Sequence, residues 1–270
     1  MTGLVVCDVD KTLLMPGEDA VQPAVLDALG RLVSRGIAVA VASGRPYSDL
    51  RRLFSPLAGS LYFICLDGAV CFFGDRPLYI APVSASAGQL SALVHSAVSM
   101  GMDAVLYAAF GTYAVSQHRQ FCDALRRDMH GQLFLASSAA AAERPILKLC
   151  VHDAAASPYR RQSFLSMCGR QVHVVYARGA WIEMTGRVAG GKPVDKAYAL
   201  GQLRAHLSVA PDDVVAFGDG DNDVTLLSAA GRSYAAPGAS EAVRAVCDAA
   251  VASVTDALYA LAGGAAPAGI

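Results

Sequence analysis

Two rhythms of apolar and polar positions divide this chain, and the first returns after a long interruption. Residues 4–7, 37–42 and 62–66 are continuous apolar runs of strand length. Between the first two, Val21, Val25, Leu29, Leu32 and Val33 recur at helical spacing over 21–35, and Gly36 is placed to end that helix. Residues 47–54 read as a second, short helix. Strands that are apolar throughout and alternate with helices predict a parallel sheet covered on both faces.

The rhythm changes near residue 82. A helix is expected at 84–101, then a hairpin of 102–109 and 112–115 around Phe110-Gly111, then an amphipathic helix at 116–129. That helix carries Arg119, Arg126 and Arg127, with His130 just beyond it, and reads as a solvated face. An Ala/Ser loop at 136–142 and segments at 145–152, 158–168, 172–176 and 180–184 follow in α+β style. From Pro193 the first rhythm resumes, with a helix at 194–205, a strand at 214–217, a helix at 224–230 and a short strand at 233–235. Helices at 241–246 and 254–261 and a loose tail from 263 close the chain. The fold class this predicts is α/β: a Rossmann-like doubly wound parallel sheet built from 1–81 and 186–270, with an inserted α/β domain over 82–185.

Composition narrows the function classes. Of 270 residues, 54% are hydrophobic and 17% charged, which predicts a substantial core. A net charge of −1 argues against a broad surface for nucleic acid or an anionic membrane, so a bound phosphate would be held locally by a few residues. The seven cysteines show no C-x-x-C pair and no metal-finger spacing, which fits a reduced, cytoplasmic chain. An acidic pair by residue 8 does not fit a signal peptide, and no apolar stretch has the length of a membrane span.

Chemistry gathers where apolar runs end. Asp8 and Asp10 follow the first run, and residues two apart in an extended segment face one side. Two close carboxylates need a cation, or one must keep a proton; a lone D-x-D also suits a cap or turn. Residues 214–223, V-V-A-F-G-D-G-D-N-D, bring Asp219, Asp221 and Asp223 to another strand end. Hard oxygen ligands of this kind suit Mg2+, and an acidic cap on the next helix is the structural alternative. An EF-hand loop is excluded, because Val224 stands where Gly is required and Ala230 where Glu is required. In V-A-S-G-R-P, Ser43 offers a hydroxyl, the amides from Gly44 onward can face an anion, and Arg45 adds a fork donor, although S-G-R alone is only a turn. Lys196 falls in the first turn of a helix, where a cation is unfavourable unless it serves an anion.

Taken together and in order, these stretches resemble the four motifs of the haloacid dehalogenase superfamily, in particular its Cof-type phosphatases with a large α/β cap of the C2 type. D-V-D-K-T-L resembles the first motif, V-A-S-G-R-P the second, P-V-D-K-A-Y-A-L the third and G-D-G-D-N-D the fourth. The resemblance implies an Mg2+-dependent phosphatase of small phosphate monoesters, sugar phosphates above all, working through an aspartyl-phosphate. It implies Asp8 as nucleophile and Asp10 as acid and base. Asp8, the Asp10 carbonyl, Asp219 and Asp223 are implied as the metal site. Ser43, Gly44, Arg45, Lys196 and Asn222 are implied at the phosphoryl group, with a small phosphorylated metabolite as partner and neither nucleic acid nor membrane. A phosphomutase would use the same residues, and a catalytically silent phospho-ligand-binding protein is the alternative of another class.

Three features stand apart from the family pattern. Lys11 occupies a position that is usually Gly. Asp67, in L-D-G-A, stands where Asn is usual, and is read as biasing the site toward a hydroxyl-rich or cationic substrate group, beside the plainer reading of a tolerated swap in a turn. In the insertion, Trp181 and Glu183 are candidate specificity residues, and a structural role competes for each.

Overall fold

The computed structural model describes residues 2–109, 111–129, 132–138 and 145–269, so Phe110, His130 and residues 139–142 of the Ala/Ser run lie outside the described residues. Among the described residues no helix is long and apolar enough to cross a membrane. The chain begins with β1 (Leu4–Asp8), α1 (Pro23–Ser34), β2 (Ala38–Ala42), α2 (Tyr47–Leu53), β3 (Tyr62–Cys65), β4 (Val70–Phe73) and β5 (Arg76–Ile80). It then builds α3 (Ala87–Ser99), β6 (Asp103–Tyr107), β7 (Thr112–Val115), α4 (Arg119–Asp128), β8 (Leu133–Leu135), β9 (Lys148–His152), α5 (Pro158–Met167), β10 (His173–Arg178) and β11 (Trp181–Thr185). It returns through α6 (Lys196–Leu207), β12 (Val214–Gly218), α7 (Val224–Ala229), β13 (Arg232–Ala235), α8 (Glu241–Val246), β14 (Ala249–Ala250) and α9 (Val254–Gly263).

Contacts divide these elements into two units. The first comprises Met1–Arg45, Leu50–Tyr79 and Asp195–Ile270, and the second Pro46–Asp49 and Ile80–Val194. The stretch after β11 stays with the second unit because it folds back there: the Val194 amide donates to the Gly186 carbonyl, and Arg187 bridges Pro193.

The first unit is organised by a sheet in the order β14-β13-β12-β1-β2-β3-β4-β5. Pairing is parallel from β14 through β3, and β4 adds antiparallel to β3. In β1 all five residues are buried, since β1 pairs with β2 on one side and β12 on the other. One face packs Leu4, Val6, Ala40 and Ile64 against Leu200, Leu203, Leu226 and Leu227 of α6 and α7. Each of the Leu, Ile and Val side chains, fully buried, contributes roughly 1.5–3 kcal/mol. The parallel order is what the continuous apolar runs predict. The β4–β5 edge hairpin is not among the expected elements; its turn uses Gly74 at φ 53. All seven cysteines are free thiols, five of them buried.

Helix ends fall where caps dictate. The first helix starts at Pro23 rather than 21, because proline takes the first helical turn without losing a needed donor. In α3, Ser86 and Gln89 form a capping box, which moves the start from 84 to Ala87. Asp195 caps α6 by accepting from the Tyr198 amide at 2.8 Å, so the helix opens on Lys196.

The second unit is a sheet in the order β10-β11-β9-β6-β7-β8. One face buries Ala104, Leu106, Leu149, Val151, Ile182 and Met184 against Leu90, Leu93 and Val94 of α3 and Phe164 of α5. On the other, Val105, Ala114 and Cys150 pack with Leu125 of α4.

Candidate active site

The chain leaves β1 toward β2 and β3 on one side and comes back as β12 on the other, so the strand order reverses at β1. In open parallel sheets the crevice for ligands lies at the carboxyl ends of the strands flanking such a reversal. Asp8 ends β1, Ser43 follows β2, Asp67 follows β3 and Asp219 follows β12. The continuous apolar runs explain why the carboxylates sit there: each run exhausts itself at the sheet edge, and the first polar side chain emerges into the crevice.

Lys196 ties two of these ends together. Its Nζ lies 2.6 Å from Asp8 Oδ1 and 2.6 Å from Asp223 Oδ1, and all three side chains are buried. Burial alone would pull the ammonium down, but the carboxylates of Asp223, Asp8 and Asp67 more than reverse this and hold it above its ordinary range. Those charges also outweigh the unfavourable helix dipole at the start of α6. The second oxygen of Asp223 accepts the amides of Asp219 at 3.2 Å and Gly220 at 3.0 Å, so this carboxylate also shapes the turn. Gly218 permits the approach, since a Cβ there would stand 2.8 Å from the Asp223 Cβ.

The remaining charge calls for a cation. One ligand atom each from Asp8, Asp219 and Asp223 lie within 4.8 Å of one another. Burial and the neighbouring Asp223 push the Asp8 carboxyl up, with Lys196 pulling against them. Burial and Asp223 also raise Asp219, against Lys11, the Thr12 hydroxyl and Lys196. Lys196 supplies one positive charge to this group of carboxylates, and the raised Asp8 and Asp219 carboxyls register the negative charge that a cation would meet. All the donors are hard oxygens, which fits Mg2+. Asp8 Oδ2 carries no hydrogen bond among the described residues, whereas both Asp223 oxygens are engaged by Lys196 and the turn amides.

Asp10 forms a second group with Ser43 and Arg45. The Arg45 guanidinium forks onto the Asp10 carboxylate at 2.6, 3.0 and 3.1 Å, and the Ser43 hydroxyl donates to it at 3.2 Å. Ser43 Oγ in turn accepts the Arg45 amide at 3.1 Å across Gly44. Lys11, next to Asp10, holds φ 65, the left-handed conformation glycine adopts freely, and its amide donates to the Leu14 carbonyl at 2.7 Å. The turn carries the side chain at a cost of about 1 kcal/mol.

The loop after β3 belongs to the site as well. Leu66, Asp67 and Gly68 all have positive φ, at 52, 54 and 95. Asp67 is buried and accepts the Asn222 amide at 3.2 Å. A Cβ at Gly68 would collide with the Asp195 carbonyl oxygen. Gly68→Ala is therefore expected to cost about 2–4 kcal/mol, from backbone strain and displacement of the α6 cap together. Urea unfolding measures it, and a variant as stable as the parent would contradict this account. Thr12 was not singled out in the sequence, yet its hydroxyl donates to Asp219 at 3.3 Å; its place inside D-V-D-K-T-L was the available signal.

Trp181 and Glu183 lie on β11 in the second unit. The Glu183 carboxylate pairs with the buried Lys148 ammonium. The Trp181 ring packs 4.7 Å from His152 and 6.1 Å from Phe121.

Comparison with known proteins bears on this geometry. Residues 5–259 match the family model of haloacid dehalogenase-like hydrolases. The HMP-PP phosphatase of Cronobacter sakazakii is 28% identical over 240 residues, covering 83% of this chain and 80% of that protein. A phosphoglycolate phosphatase of Methanopyrus kandleri is 49% identical over 57 residues, and the match spans 21% of this chain and only 25% of that protein. Among solved structures, a subclass IIB sugar phosphatase of the same superfamily superposes with a TM-score of 0.78 at 18% identity, over 94% of this chain and 95% of the other. That likeness is one of fold.

Proposed function

Because the chain belongs to the haloacid dehalogenase-like hydrolase family, we propose that it is an Mg2+-dependent phosphatase of small phosphate monoesters, sugar phosphates first among them. The observation that carries the reading is Lys196 Nζ at 2.6 Å from both Asp8 and Asp223, with Asp219 beside them. Asp8, Asp219 and the Asp10 carbonyl would hold the metal, with Asp223 supporting them; the ion would neutralise charge on the transferring phosphoryl group. The phosphatase names borne by two relatives support the reaction class.

The steps fall to the chain's own groups. Asp8 Oδ2 attacks phosphorus, the bond from phosphorus to the ester oxygen breaks, and Asp10 gives that oxygen a proton. Asp10 then takes a proton from water, whose oxygen attacks the aspartyl-phosphate and frees Asp8 and inorganic phosphate. Lys196 favours the charged form of Asp8 before attack and holds its other oxygen, Oδ1, in line. Ser43, the Gly44 amide and Asn222 are proposed to hold phosphoryl oxygens. Asp10 is engaged by Arg45 and Ser43, so proton transfer requires it to exchange that fork for the substrate; the freed guanidinium and hydroxyl then face the phosphoryl group.

A panel of sugar phosphates, nucleotides and phosphorylated polyols with Mg2+ tests the proposal through release of inorganic phosphate. At least one ester is expected to turn over, with a loss of roughly 100-fold or more on adding EDTA and recovery on restoring Mg2+. Failure to hydrolyse any member of the panel would sink it.

A further inference from the structure

Asp67 sits on a loop fixed from several sides. The Leu66 amide donates to the Arg45 carbonyl at 3.1 Å, and the Asp67 amide to the Ser43 carbonyl at 3.0 Å. The Gly68 carbonyl accepts from the Tyr79 hydroxyl at 2.9 Å, and Gly68 itself lies against Asp195, the cap of α6. The loop thus joins the strand end carrying Ser43 to the helix start carrying Lys196. Its carboxylate, buried at 2% exposure, points to the segment carrying Asn222.

We propose that Asp67 is a positioning residue that fixes the Asn222 side-chain amide in a single orientation at the phosphoryl site. The inference rests on the phosphoryl-transfer reading above. An ionised carboxylate only accepts hydrogen bonds, so just one of the two ways round of the amide suits it: Nδ2 toward Asp67. The amide oxygen is then turned back over Gly220, where a Cβ would stand 2.7 Å from it. Asn222 keeps its second N–H as donor for a phosphoryl oxygen. With an amide at position 67 the pair could bond either way round, since each side chain would offer both a donor and an acceptor. Asn222 would then present its oxygen to an anionic group for part of the time, and that encounter is repulsive. Beside the substrate-selecting role read for Asp67 from the sequence, this role is indirect: a buried side chain bonded to Asn222 acts on the substrate through that neighbour.

A double-mutant cycle tests this, using p-nitrophenyl phosphate with Mg2+. Asp67→Asn is expected to lower kcat/KM about tenfold in the native background, the size of one hydrogen bond to a charged group, mostly through KM. In an Asn222→Ala background the same change is expected to cost less than about twofold, since the group it acts through is gone. Equal losses in the two backgrounds overturn the proposal. A second measurement needs no turnover: the side-chain amide resonances of Asn222, identified by their loss in Asn222→Ala, are expected to shift or split in Asp67→Asn. Unmoved resonances also overturn it. If no ester in the panel is hydrolysed, the phosphatase reading falls while these resonances still decide what Asp67 does.

Discussion

Asp8→Asn is expected to lower phosphate-ester turnover by at least about 10,000-fold while leaving the protein folded. The substitution is nearly isosteric, but an amide oxygen is a poor nucleophile for phosphorus, and no other carboxylate takes the same place. Asp223 has both oxygens occupied, and Asp219 is bonded to Thr12. Stability should change little, by about 1 kcal/mol or less, because two opposed effects nearly cancel. The variant loses a charged partner of Lys196, and it also relieves the repulsion with Asp223 that pushes the Asp8 carboxyl up. Phosphate release under saturating substrate and a urea melt on the same sample separate chemistry from folding. Residual turnover above about 1% of the parent would show that Asp8 is not the nucleophile.

Lys196→Met should damage both stability and activity. Removing one member of a buried charge cluster strands the others, and the expected cost is about 3–5 kcal/mol at neutral pH without metal. Turnover should fall roughly 1,000-fold, the scale of a lost electrostatic contact to a developing charge. The pH dependence gives the sharper signature. In the native state burial and mutual repulsion raise the carboxyls of Asp8 and Asp219, so the folded variant binds more protons than the unfolded chain. A group whose folded value is raised favours folding below that value and disfavours it above, so stability must fall as pH rises. The deficit of Lys196→Met should therefore shrink as pH is lowered from 8 toward 5. In the parent, the raised Lys196 contributes fully below its unfolded value and loses that contribution only at strongly alkaline pH. A variant as stable as the parent at pH 8, or with a deficit that does not move with pH, would show that the pairing is not what holds these strand ends together.

What the sequence discloses, and what it withholds, follows from how local each feature is. Strands β1, β2, β3 and β12 are legible because burial on both faces leaves an uninterrupted apolar run. Asp8, Asp219 and Lys196 are legible because each breaks a local pattern, an acid at the end of such a run or a cation at a helix start. The β4–β5 hairpin is harder, since β4 is only four residues long and β5, the edge strand, is largely exposed and carries no sustained apolar face. Apart from Lys196 beside Asp8, which the family resemblance implies, partner choice is not legible. That Arg45 takes Asp10, or that Asn222 takes Asp67, depends on side chains 35 and 155 residues apart meeting in space, and no spacing rule encodes it. The family resemblance supplied roles for the motif residues. It does not say what a carboxylate at position 67 would meet, which is the Asn222 amide.

The pairing of β1 with β12 has a consequence for how the protein is made. Leu4–Cys7 pair with Val214–Phe217, which lie more than 200 residues later in the chain. At about 5–20 residues per second, a ribosome needs on the order of 10–40 s to deliver that partner. For all of that time β1 can pair on its β2 side, while its other edge stands open beside Val5 and Cys7, which the finished sheet buries completely. The inserted unit is synthesised during this interval, its own strands pairing among themselves. The nascent chain thus spends this period with the strand that ends in Asp8 paired on one side only, and open sheet edges of that kind are the ones exposed to mispairing.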